Sequence, residues 1–493
     1  MDYLKSIIAG LLSGFILFVS YKTGFSFFSF FFLVPFLAIS AFYQTKRVLI
    51  LLSALSFLIT WHALNLQFLF SFSYSFLNRV APLGIVLFII VGILPFLFLI
   101  LNTRYKVALF VCSWGLIEIL YMRWDFSSPF SSLGIVLGGS PQLIQWYQFT
   151  GVTGGSLWIL SINFLLYNSI DAKVFSNPQK RCLLWMFLFV FLIPVSLSSF
   201  FYLFKKEKNE VRNVRVFSFS SSEDEMAIWQ RVKLLFDSVD ANKYIDYNVL
   251  PELIVSLNNQ KVESHDNLVY LRELACSSRT NSVYVLGADL FAWQNQQVLA
   301  VSIACDKIQQ RNKELLVPFG ERIPLSGVLS KLKFINEKNP YPYISSQNGD
   351  EVFCQGVDKF HVSVCFESFF ENHVARYLND EVGVIFVIAR EPFVYNRHYR
   401  DLTLLLTRVQ AITFQKDIAR SSWIGVSCIV KANGQIINSV YNENQIVESE
   451  IDFSKGISFY GKYGVYVNHI CLLLLFLVFC FISIYSYVNN RSR

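Results

Sequence analysis

The chain is poor in charge for its length, and this scarcity excludes a single soluble domain. Only 16% of its 493 residues are charged, whereas 54% are hydrophobic and 17% are aromatic. Soluble domains carry about a quarter charged residues, so too few are present here to cover a water-exposed surface. Disorder is excluded as well, because disordered chains have low hydrophobicity. We therefore expect lipid to surround part of the chain.

Several common catalytic and metal-binding motifs are also missing. The sequence has no G-x-S-x-G, no H-E-x-x-H, no Walker loop and no G-x-G-x-x-G after a predicted strand. Its six histidines lack the spacing of metal ligands, so we expect no metal and no cofactor. The nine cysteines contain no C-x-x-C, and an odd number of them lies in the polar part, which leaves at least one thiol free.

The hydrophobic residues are concentrated in blocks long enough to span a bilayer, which takes about 20 residues. Seven apolar runs precede residue 205, and they are Leu4–Ser20, Gly24–Tyr43, Val48–Leu64, Val80–Leu101, Val107–Met122, Gly151–Leu166 and Cys182–Phe204. The shorter stretch Asn65–Asn78 is interpreted as interfacial or re-entrant. An eighth run covers about Val467–Tyr487. We predict a transmembrane bundle at 1–204, a polar external domain at 205–465, and a final helix with a short cytoplasmic tail at 466–493.

The distribution of positive charge predicts the orientation, because cytoplasmic loops are enriched in Lys and Arg. With a cytoplasmic N-terminus, the inner segments carry Lys46, Arg47, Arg104, Lys106, Lys173, Lys180, Arg181, Arg491 and Arg493. The outer loops carry only Lys22, Arg79 and Arg123. The polar block then lies on the outer side. Much of the net charge of +7 is explained by topology, so we expect no nucleic-acid partner.

The polar block alternates β-rich runs with helix-like stretches, a pattern typical of a layered α/β domain. The predicted strands are Val214–Phe219, Tyr244–Val249, Val283–Leu286, Val298–Ala304, His361–Cys365, Gly383–Ile388, Trp423–Val430 and Gln435–Val440. The predicted helices include Ala227–Val239 and Ser368–Leu378.

Three residues of this block lie in contexts that favour catalysis, although each also has an ordinary structural interpretation. Cys365 ends a strand and precedes a helix, where backbone N–H groups and the helix terminus would favour the thiolate. It could equally be a small buried apolar residue. Lys313 precedes a Pro- and Gly-containing loop and could be a solvated surface lysine. Glu252 follows a predicted strand and could be only a favourable charge at a helix N-terminus.

Taken in order, these residues resemble the Glu–Lys–Cys triad of the nitrilase superfamily. The matching segments are Pro251-Glu252, Lys313 and Cys365-Phe366-Glu367. The run L-V-P-F-G-E at 316–321 resembles the apolipoprotein N-acyltransferases, the membrane-bound branch of that superfamily. The resemblance implies a helical membrane bundle of about eight spans plus an external nitrilase-like α/β domain, built as an α-β-β-α sandwich.

The resemblance extends over nearly the whole chain, with a few departures. Residues 145–156 resemble the family's Q-W-x-x-x-T-G-x-x-G-x-S segment, residues 420–427 a late strand, and residues 458–464 the approach to the last helix. The chain departs from the family pattern at Phe366, where Tyr is usual, at Lys462, where Arg is usual, and at 217–219 and 389–393. Since the triad residues are present, we expect an active enzyme.

The resemblance implies a ping-pong acyltransferase that acts without a cofactor. Cys365 would take an acyl chain from a phospholipid as a thioester, Glu252 would be the base, and Lys313 would hold the oxyanion. The acceptor would be the α-amine of the N-terminal diacylglyceryl-cysteine of an apolipoprotein. Glu321 and Glu367 would support the triad, and either could pair with Lys313.

The remaining expectations concern substrates and location. Phe366 is expected to contact substrate, and Trp124 and Phe130 are expected to line the entry path of the lipid. The partners would be a phospholipid donor, a diacylated apolipoprotein acceptor and membrane lipid. The resemblance implies a multi-pass protein of the bacterial inner membrane, with its catalytic domain on the periplasmic side.

Two other functions remain open on the sequence. One is a membrane-tethered nitrilase-type amidase that uses its spans as an anchor. The other is a catalytically inactive lipoprotein-binding homologue, which the departures at Phe366 and 389–393 would favour.

Overall fold

The chain divides into two compact units. The computed structural model describes residues 1–71, 75–101, 105–170, 178–204, 210–220, 225–237, 243–258, 260–277, 282–292, 295–331, 343–346, 349, 351–391, 396–464, 466, 468, 469, 473, 476, 477, 480, 481 and 484. The helical unit comprises Met1–Phe70, Val80–Phe204 and Tyr463–Arg493. The α/β unit comprises Ser71–Arg79 and Lys205–Lys462.

The described residues of the helical unit are dominated by apolar helices. They are α1 (Asp2–Thr23), α2 (Val34–Phe42), α3 (Arg47–Asn65), α4 (Ser75–Gly92, of which Ser75–Arg79 is counted with the α/β unit), α5 (Leu94–Leu99), α6 (Lys106–Tyr121), α7 (Tyr147–Ser169) and α8 (Pro178–Phe204). Among the described residues, five helical segments are long and apolar enough to cross a membrane. These are Asp2–Thr23, Arg47–Asn65, Pro82–Leu99, Tyr147–Ser169 and Arg181–Phe204.

Three predicted spans do not correspond to any of these five segments. The run Gly24–Tyr43 is divided between a 3₁₀ turn, Ser26–Phe30, and the short helix α2. The run Val107–Met122 forms α6, which has only 16 residues. Most of Val467–Tyr487 lies outside the described residues, as do Arg104, Lys173, Arg491, Arg493 and residues 72–74 of the predicted interfacial stretch. The count of eight spans therefore stays a prediction.

Small residues allow α1 to approach α3 closely. A Cβ atom added to Gly10 would lie 2.1 Å from the carbonyl oxygen of Ser53, and one on Gly14 would lie 2.8 Å from Cβ of Thr60. Close approach of this kind is how helices associate in lipid, where apolar burial gives little driving force.

The α/β unit contains thirteen strands among its described residues. They are β1 (Val211–Ser218), β2 (Tyr247–Val249), β3 (Val255–Ser256), β4 (Val283–Ala292), β5 (Asn295–Ile303), β6 (Ile308–Asn312), β7 (Phe353–Gln355), β8 (Asp358–Val364), β9 (Val382–Arg390), β10 (Ile418–Trp423), β11 (Val426–Val430), β12 (Ile436–Tyr441) and β13 (Gln445–Asp452). The helices are α9 (Glu225–Asp237), α10 (Asp266–Ser277), α11 (Ser326–Leu329), α12 (Glu371–Val374) and α13 (Arg397–Phe414).

The strands form two sheets that pack face to face. One has the order β13-β1-β2-β4-β5-β6, with β3 on β4, and the other has the order β12-β11-β10-β9-β8-β7. The pairs β1–β2, β2–β4, β8–β9 and β9–β10 are parallel. A core between the sheets contains Val216, Val249 and Val285 from one sheet and Val362 and Phe386 from the other.

Helices cover the outer face of each sheet. Leu268 and Leu271 of α10 pack with Leu286 and Val301 in one cluster. Ala411 and Phe414 of α13 pack with Ile385 and Val387 in another. The buried run of β9 is apolar on both faces, as expected for a central parallel strand. The unit is an α-β-β-α arrangement, in agreement with the predicted α/β domain.

Three local predictions in the α/β unit are wrong. The run Trp423–Val430 is not one strand, because the chain turns between β10 and β11, with Ile424 at φ +57°. The strand predicted at His361–Cys365 ends at Val364, one residue earlier than expected. Cys365 instead begins a 3₁₀ turn, Cys365–Phe369, and not an α-helix. The predicted helix Ser368–Leu378 is divided between the end of that turn, α12 and a second 3₁₀ turn, Ala375–Tyr377. The sequence pattern also missed β3, β6, β7 and β13.

Candidate active site

The carboxyl ends of strands from both sheets carry the three predicted triad residues. Glu252 follows β2, Lys313 follows β6 directly, and Cys365 follows β8 directly. Strand β6 runs in the same direction as β4, because both are antiparallel to β5. Parallel strands place their carboxyl ends at one edge, which is where open α/β sheets position ligands.

Lys313 lies between two carboxylates. Its Nζ is 2.9 Å from Oε1 of Glu252 and 2.6 Å from Oε1 of Glu321. The side chains of Lys313 and Glu252 are almost completely buried, whereas 16% of the Glu321 side chain is exposed. The surface-lysine interpretation of Lys313 is therefore wrong, and the predicted pairing with Glu321 is present.

The charges around Lys313 keep it an ammonium. Burial alone would lower the pKa of Lys313, but the carboxylates of Glu252 and Glu321 outweigh it and hold that pKa well above its ordinary value. Burial raises the pKa of Glu321, and Lys313 opposes the rise. A buried charge without a partner is costly, so the ammonium and its two carboxylates stabilise one another.

A glycine on β4 makes room for Glu252. A Cβ atom added to Gly287 would lie only 2.6 Å from Cα of Glu252, and the Gly287 amide donates to the Pro251 carbonyl. Oε2 of Glu252 accepts a hydrogen bond from the backbone N–H of Arg390 at 2.9 Å. Glu252 is therefore held from both sheets.

Cys365 has a backbone conformation that L-residues adopt rarely. Its φ is +48°, in the left-handed region, which costs roughly 1–2 kcal/mol for a residue with a Cβ atom. The Ser368 hydroxyl donates to the Cys365 carbonyl at 2.6 Å, and the Cys365 thiol donates to the Arg390 carbonyl at 3.5 Å. Such strain persists only where neighbouring contacts fix it, and it is typical of functional sites.

The expectation that this junction favours the thiolate is wrong for the structure as it stands. Burial raises the pKa of the Cys365 thiol well above its ordinary value, and the Glu252 carboxylate raises it further. The Lys313 ammonium acts in the opposite direction but does not compensate. The thiol is therefore protonated at neutral pH and needs a base before it can attack.

Glu367 is buried near the candidate site and pairs with Arg311 instead of Lys313. Its Oε2 is 2.6 Å from Nη2 of Arg311 and accepts from the Val364 N–H, and its Oε1 accepts from the Glu314 N–H at 2.5 Å. The Arg311 guanidinium outweighs the effect of burial and holds the pKa of Glu367 well below its ordinary value. Glu367 thus links the segment before Cys365 to the residue after Lys313.

The three residues predicted to contact substrate lie in different surroundings. Phe366 is buried and packs edge-to-face on Phe370, with ring centroids 4.8 Å apart. Trp124 and Phe130 lie in the helical unit, where Phe130 packs on Phe68 and Trp124 packs on Phe88. Their roles toward substrate stay predictions.

Sequence reasoning missed several polar residues near the triad. Arg311 pairs with Glu367, and the backbone of Arg390 contacts both Glu252 and Cys365. Oε1 of Glu391 is 2.5 Å from Nη2 of the buried Arg420. Oε2 of Glu391 accepts a hydrogen bond from the Val426 N–H. The departure from the family pattern at 389–393 was a signal in the sequence that could have drawn attention to Arg390 and Glu391. Residues 392–393 of that segment lie outside the described residues.

No group of three or more His, Cys, Asp or Glu side chains suited to a metal ion occurs in the part of the chain that the structure describes. The candidate site combines one buried thiol, one buried ammonium and carboxylates. Such a set is chemically suited to forming and breaking an acyl–sulfur bond, with an ammonium as a charge partner for an oxyanion.

Comparison with known proteins places the chain near one family. The family model of the apolipoprotein N-acyltransferase N-terminal domain matches residues 13–165. The apolipoprotein N-acyltransferase of Pasteurella multocida is 23% identical over 385 residues, covering 72% of this chain and 71% of the relative. That of Haemophilus influenzae is 22% identical over 452 residues, covering 82% of this chain and 81% of the relative.

Solved structures with a similar chain path include a CN-hydrolase superfamily protein from Xanthomonas campestris, with 16% identity and a TM-score of 0.38. The match covers 49% of this chain and 91% of that protein. The family model and the curated relatives confirm the resemblance that the motifs indicate: along most of its length, this chain is similar to the apolipoprotein N-acyltransferases.

Proposed function

We propose that the protein is a lipoprotein N-acyltransferase that moves an acyl chain from a phospholipid to the α-amine of a diacylated apolipoprotein through a Cys365 thioester. The observation that carries this proposal is the convergence of Glu252, Lys313 and Cys365 in one buried site. The described residues of the same chain include five apolar helices long enough to span a membrane. The curated relatives that share most of the chain support the same activity.

In the first half-reaction, Cys365 attacks the ester carbonyl of the donor. Glu252 accepts the thiol proton, a carbon–sulfur bond forms, and the carbon–oxygen bond to the lysolipid breaks. The proton then passes from Glu252 to the departing lysolipid oxygen. Because the pKa of the thiol is raised, a base next to it is required.

Lys313 is the candidate oxyanion partner. An ammonium has three N–H donors, of which Glu252 and Glu321 receive two, so one is left for the tetrahedral oxyanion. Its buried position strengthens the interaction, since a low-dielectric site screens charge weakly.

In the second half-reaction, the amine of the acceptor attacks the thioester. The carbon–nitrogen bond forms, the carbon–sulfur bond breaks, and Glu252 takes the amine proton and returns one to the sulfur. Water must be kept out of this step, since it would hydrolyse the thioester. The burial of all three side chains supports transfer over hydrolysis.

A disulfide supports the proposed location of the α/β unit. Cys276 and Cys305 are bonded, whereas Cys354, Cys365 and Cys428 are free thiols. Structural disulfides persist in oxidising compartments and are rare in the cytosol. We therefore propose the periplasmic side of the inner membrane, in agreement with the orientation that the positive charges predict.

The test uses the full chain purified in detergent with a diacyl phospholipid and a synthetic diacylated lipopeptide. Mass spectrometry should detect acylated Cys365 and triacylated peptide, and both should be absent in Cys365→Ala. A thioester without peptide product, together with hydrolysis of small amides, would favour the amidase. No adduct in the wild-type protein would favour the inactive homologue.

A further inference from the structure

Arg390 is the last residue of β9 and lies beside the candidate nucleophile. Its N–H donates to Glu252, and its carbonyl accepts from the Cys365 thiol. The alternate β9 residues Phe386 and Ile388 belong to the core between the sheets. Side chains two apart on a strand share a face, so Arg390 continues this face to the carboxyl end of β9, where the triad lies.

An aromatic ring holds the Arg390 guanidinium. In the register of β9 and β10, Arg390 is paired with Trp423, the last residue of β10. The guanidinium carbon of Arg390 is 4.3 Å from the centroid of the buried Trp423 ring. Stacking on an aromatic face fixes the plane of a guanidinium and leaves its N–H edge available.

Arg390 differs from the other arginines near the triad in whether its guanidinium is paired with a carboxylate. Arg311 and Arg420 are buried and each is paired with a carboxylate, Glu367 or Glu391. Within the described ranges, Arg390 makes no such ion pair, although its side chain is half-buried. A planar, half-buried guanidinium without a carboxylate partner among the described residues is suited to bidentate binding of a phosphate.

We propose that Arg390, held on Trp423, binds the phosphate of the phospholipid acyl donor and thereby positions the donor ester at Cys365. This inference rests on the proposed function and names its donor-recognition residue. In a glycerophospholipid the ester carbonyl and the phosphate are only a few bonds apart, so a residue adjacent to the nucleophile can reach the phosphate. Arg390 also lies in the segment 389–393, where the chain departs from the family pattern, so this contact belongs to this chain.

The test compares a charged donor with an uncharged one. The rate of acyl-Cys365 formation is measured by mass spectrometry with dipalmitoyl phosphatidylglycerol and with dipalmitoylglycerol in the same detergent. The quantity of interest is the ratio of kcat/KM for the phosphatidylglycerol to kcat/KM for dipalmitoylglycerol. In Arg390→Gln this ratio should fall about 10-fold to 100-fold, as expected for the loss of a charge-assisted contact. Inorganic phosphate should compete with the phospholipid in the wild-type protein and not in this variant.

Two further variants separate recognition from folding. Arg390→Lys keeps the charge but loses the planar fork, so its ratio should lie between those of the wild type and Arg390→Gln. Arg272→Gln removes an exposed arginine on α10 of the same unit and should leave the ratio unchanged.

The outcomes distinguish this inference from the proposed function. An unchanged ratio in Arg390→Gln, with the thioester still forming, would overturn the role of Arg390 and leave the acyltransferase intact. A parallel fall with both donors would assign Arg390 a merely structural role and would also overturn it. Absence of a thioester in the wild-type protein with either donor would remove the proposed function, and this inference with it.

Discussion

The two units bury polar groups in different ways. In the helical unit the buried polar side chains are mostly neutral, and several of them bond to backbone carbonyl or N–H groups. Tyr21 donates to the Ser132 carbonyl, and the Asn163 side-chain amide donates to the Ser29 carbonyl while its oxygen accepts from the Leu33 N–H. Among the described residues of this unit, Glu118 is the one buried carboxylate.

The α/β unit instead buries charged residues in pairs. Lys313 with Glu252, Arg311 with Glu367, and Arg420 with Glu391 all lie near the carboxyl ends of the strands. Isolated charges are expensive in lipid and in a protein interior, so each unit avoids them. Cys365 lies at the same ends of the strands as these three buried pairs, which supports the proposed location of the chemistry.

The largest expected effect follows from removing the ammonium at the centre of these charges. Lys313→Met leaves the carboxylates of Glu252 and Glu321 without their shared cation. We expect a loss of about 3–5 kcal/mol in the free energy of unfolding and no detectable acyl transfer. Denaturant unfolding in detergent measures the free energy of unfolding, and the thioester assay measures the loss of acyl transfer.

An exposed ion pair in the same unit is the matched control. Lys359 pairs with Glu381, and the two side chains are 38% and 63% exposed. Lys359→Met should change the free energy of unfolding by about 1 kcal/mol or less and leave acyl transfer unchanged. Equal effects of the two substitutions would contradict the distinction between buried and exposed pairs.

A pair of glycine substitutions should separate packing from catalysis. Gly287→Ala places a Cβ atom 2.6 Å from Cα of Glu252, and Gly10→Ala places one 2.1 Å from the Ser53 carbonyl oxygen. We expect each to destabilise its unit by about 1–3 kcal/mol. Only Gly287→Ala should also lower kcat at temperatures where the protein stays folded, because it displaces Glu252.

The controls for these substitutions are glycines in open space. A Cβ atom on Gly327 or Gly84 would meet no atom within 4 Å. Alanine at either position should change stability by about 0.5 kcal/mol or less. If Gly10→Ala lowered kcat as much as Gly287→Ala, the proposed restriction of the chemistry to the α/β unit would be wrong.

The smallest effect concerns the reactivity of Cys365 toward iodoacetamide. Alkylation requires the thiolate, and the raised pKa of the thiol means that the rate should still be rising with pH above about 8.5, the ordinary thiol value. Glu252→Gln removes a carboxylate that raises this pKa, so at pH 8 it should alkylate faster while acyl transfer is lost. Glu381→Gln, an exposed carboxylate, should leave the alkylation rate unchanged. Slower alkylation in Glu252→Gln would contradict the electrostatic argument.

The hydrophobic patterns predicted the long helices well because local hydropathy determines them. The runs at Leu4–Ser20, Val48–Leu64 and Cys182–Phe204 each fall within one observed helix. Strand β13 was missed because its polar and charged residues conceal the alternation, and the turn at Ile424 was missed because a β-branched residue rarely takes a positive φ.

The candidate site could be predicted only where a motif carried it. Glu252, Lys313 and Cys365 were identified by their order and their neighbours, since nothing local distinguishes a buried lysine from a surface one. Arg390 acts through its backbone and through a stack on Trp423, a residue 33 positions later that only the sheet register brings beside it. The departure from the family pattern at 389–393 marked this segment, but a single sequence carries no signal for the contacts that Arg390 makes.

The Cys276–Cys305 bond has a consequence for how the protein is made. On the periplasmic side, the chain would cross the membrane unfolded and expose Cys354, Cys365 and Cys428 to the same oxidants that must join Cys276 to Cys305. A bond to Cys365 at that stage would yield an inert molecule. Cys365 and Cys428 are buried in the final fold, so collapse of the two sheets protects them. In the proposed periplasmic location, folding would have to precede oxidation of Cys365, and a thiol–disulfide isomerase would rescue the molecules in which oxidation came first.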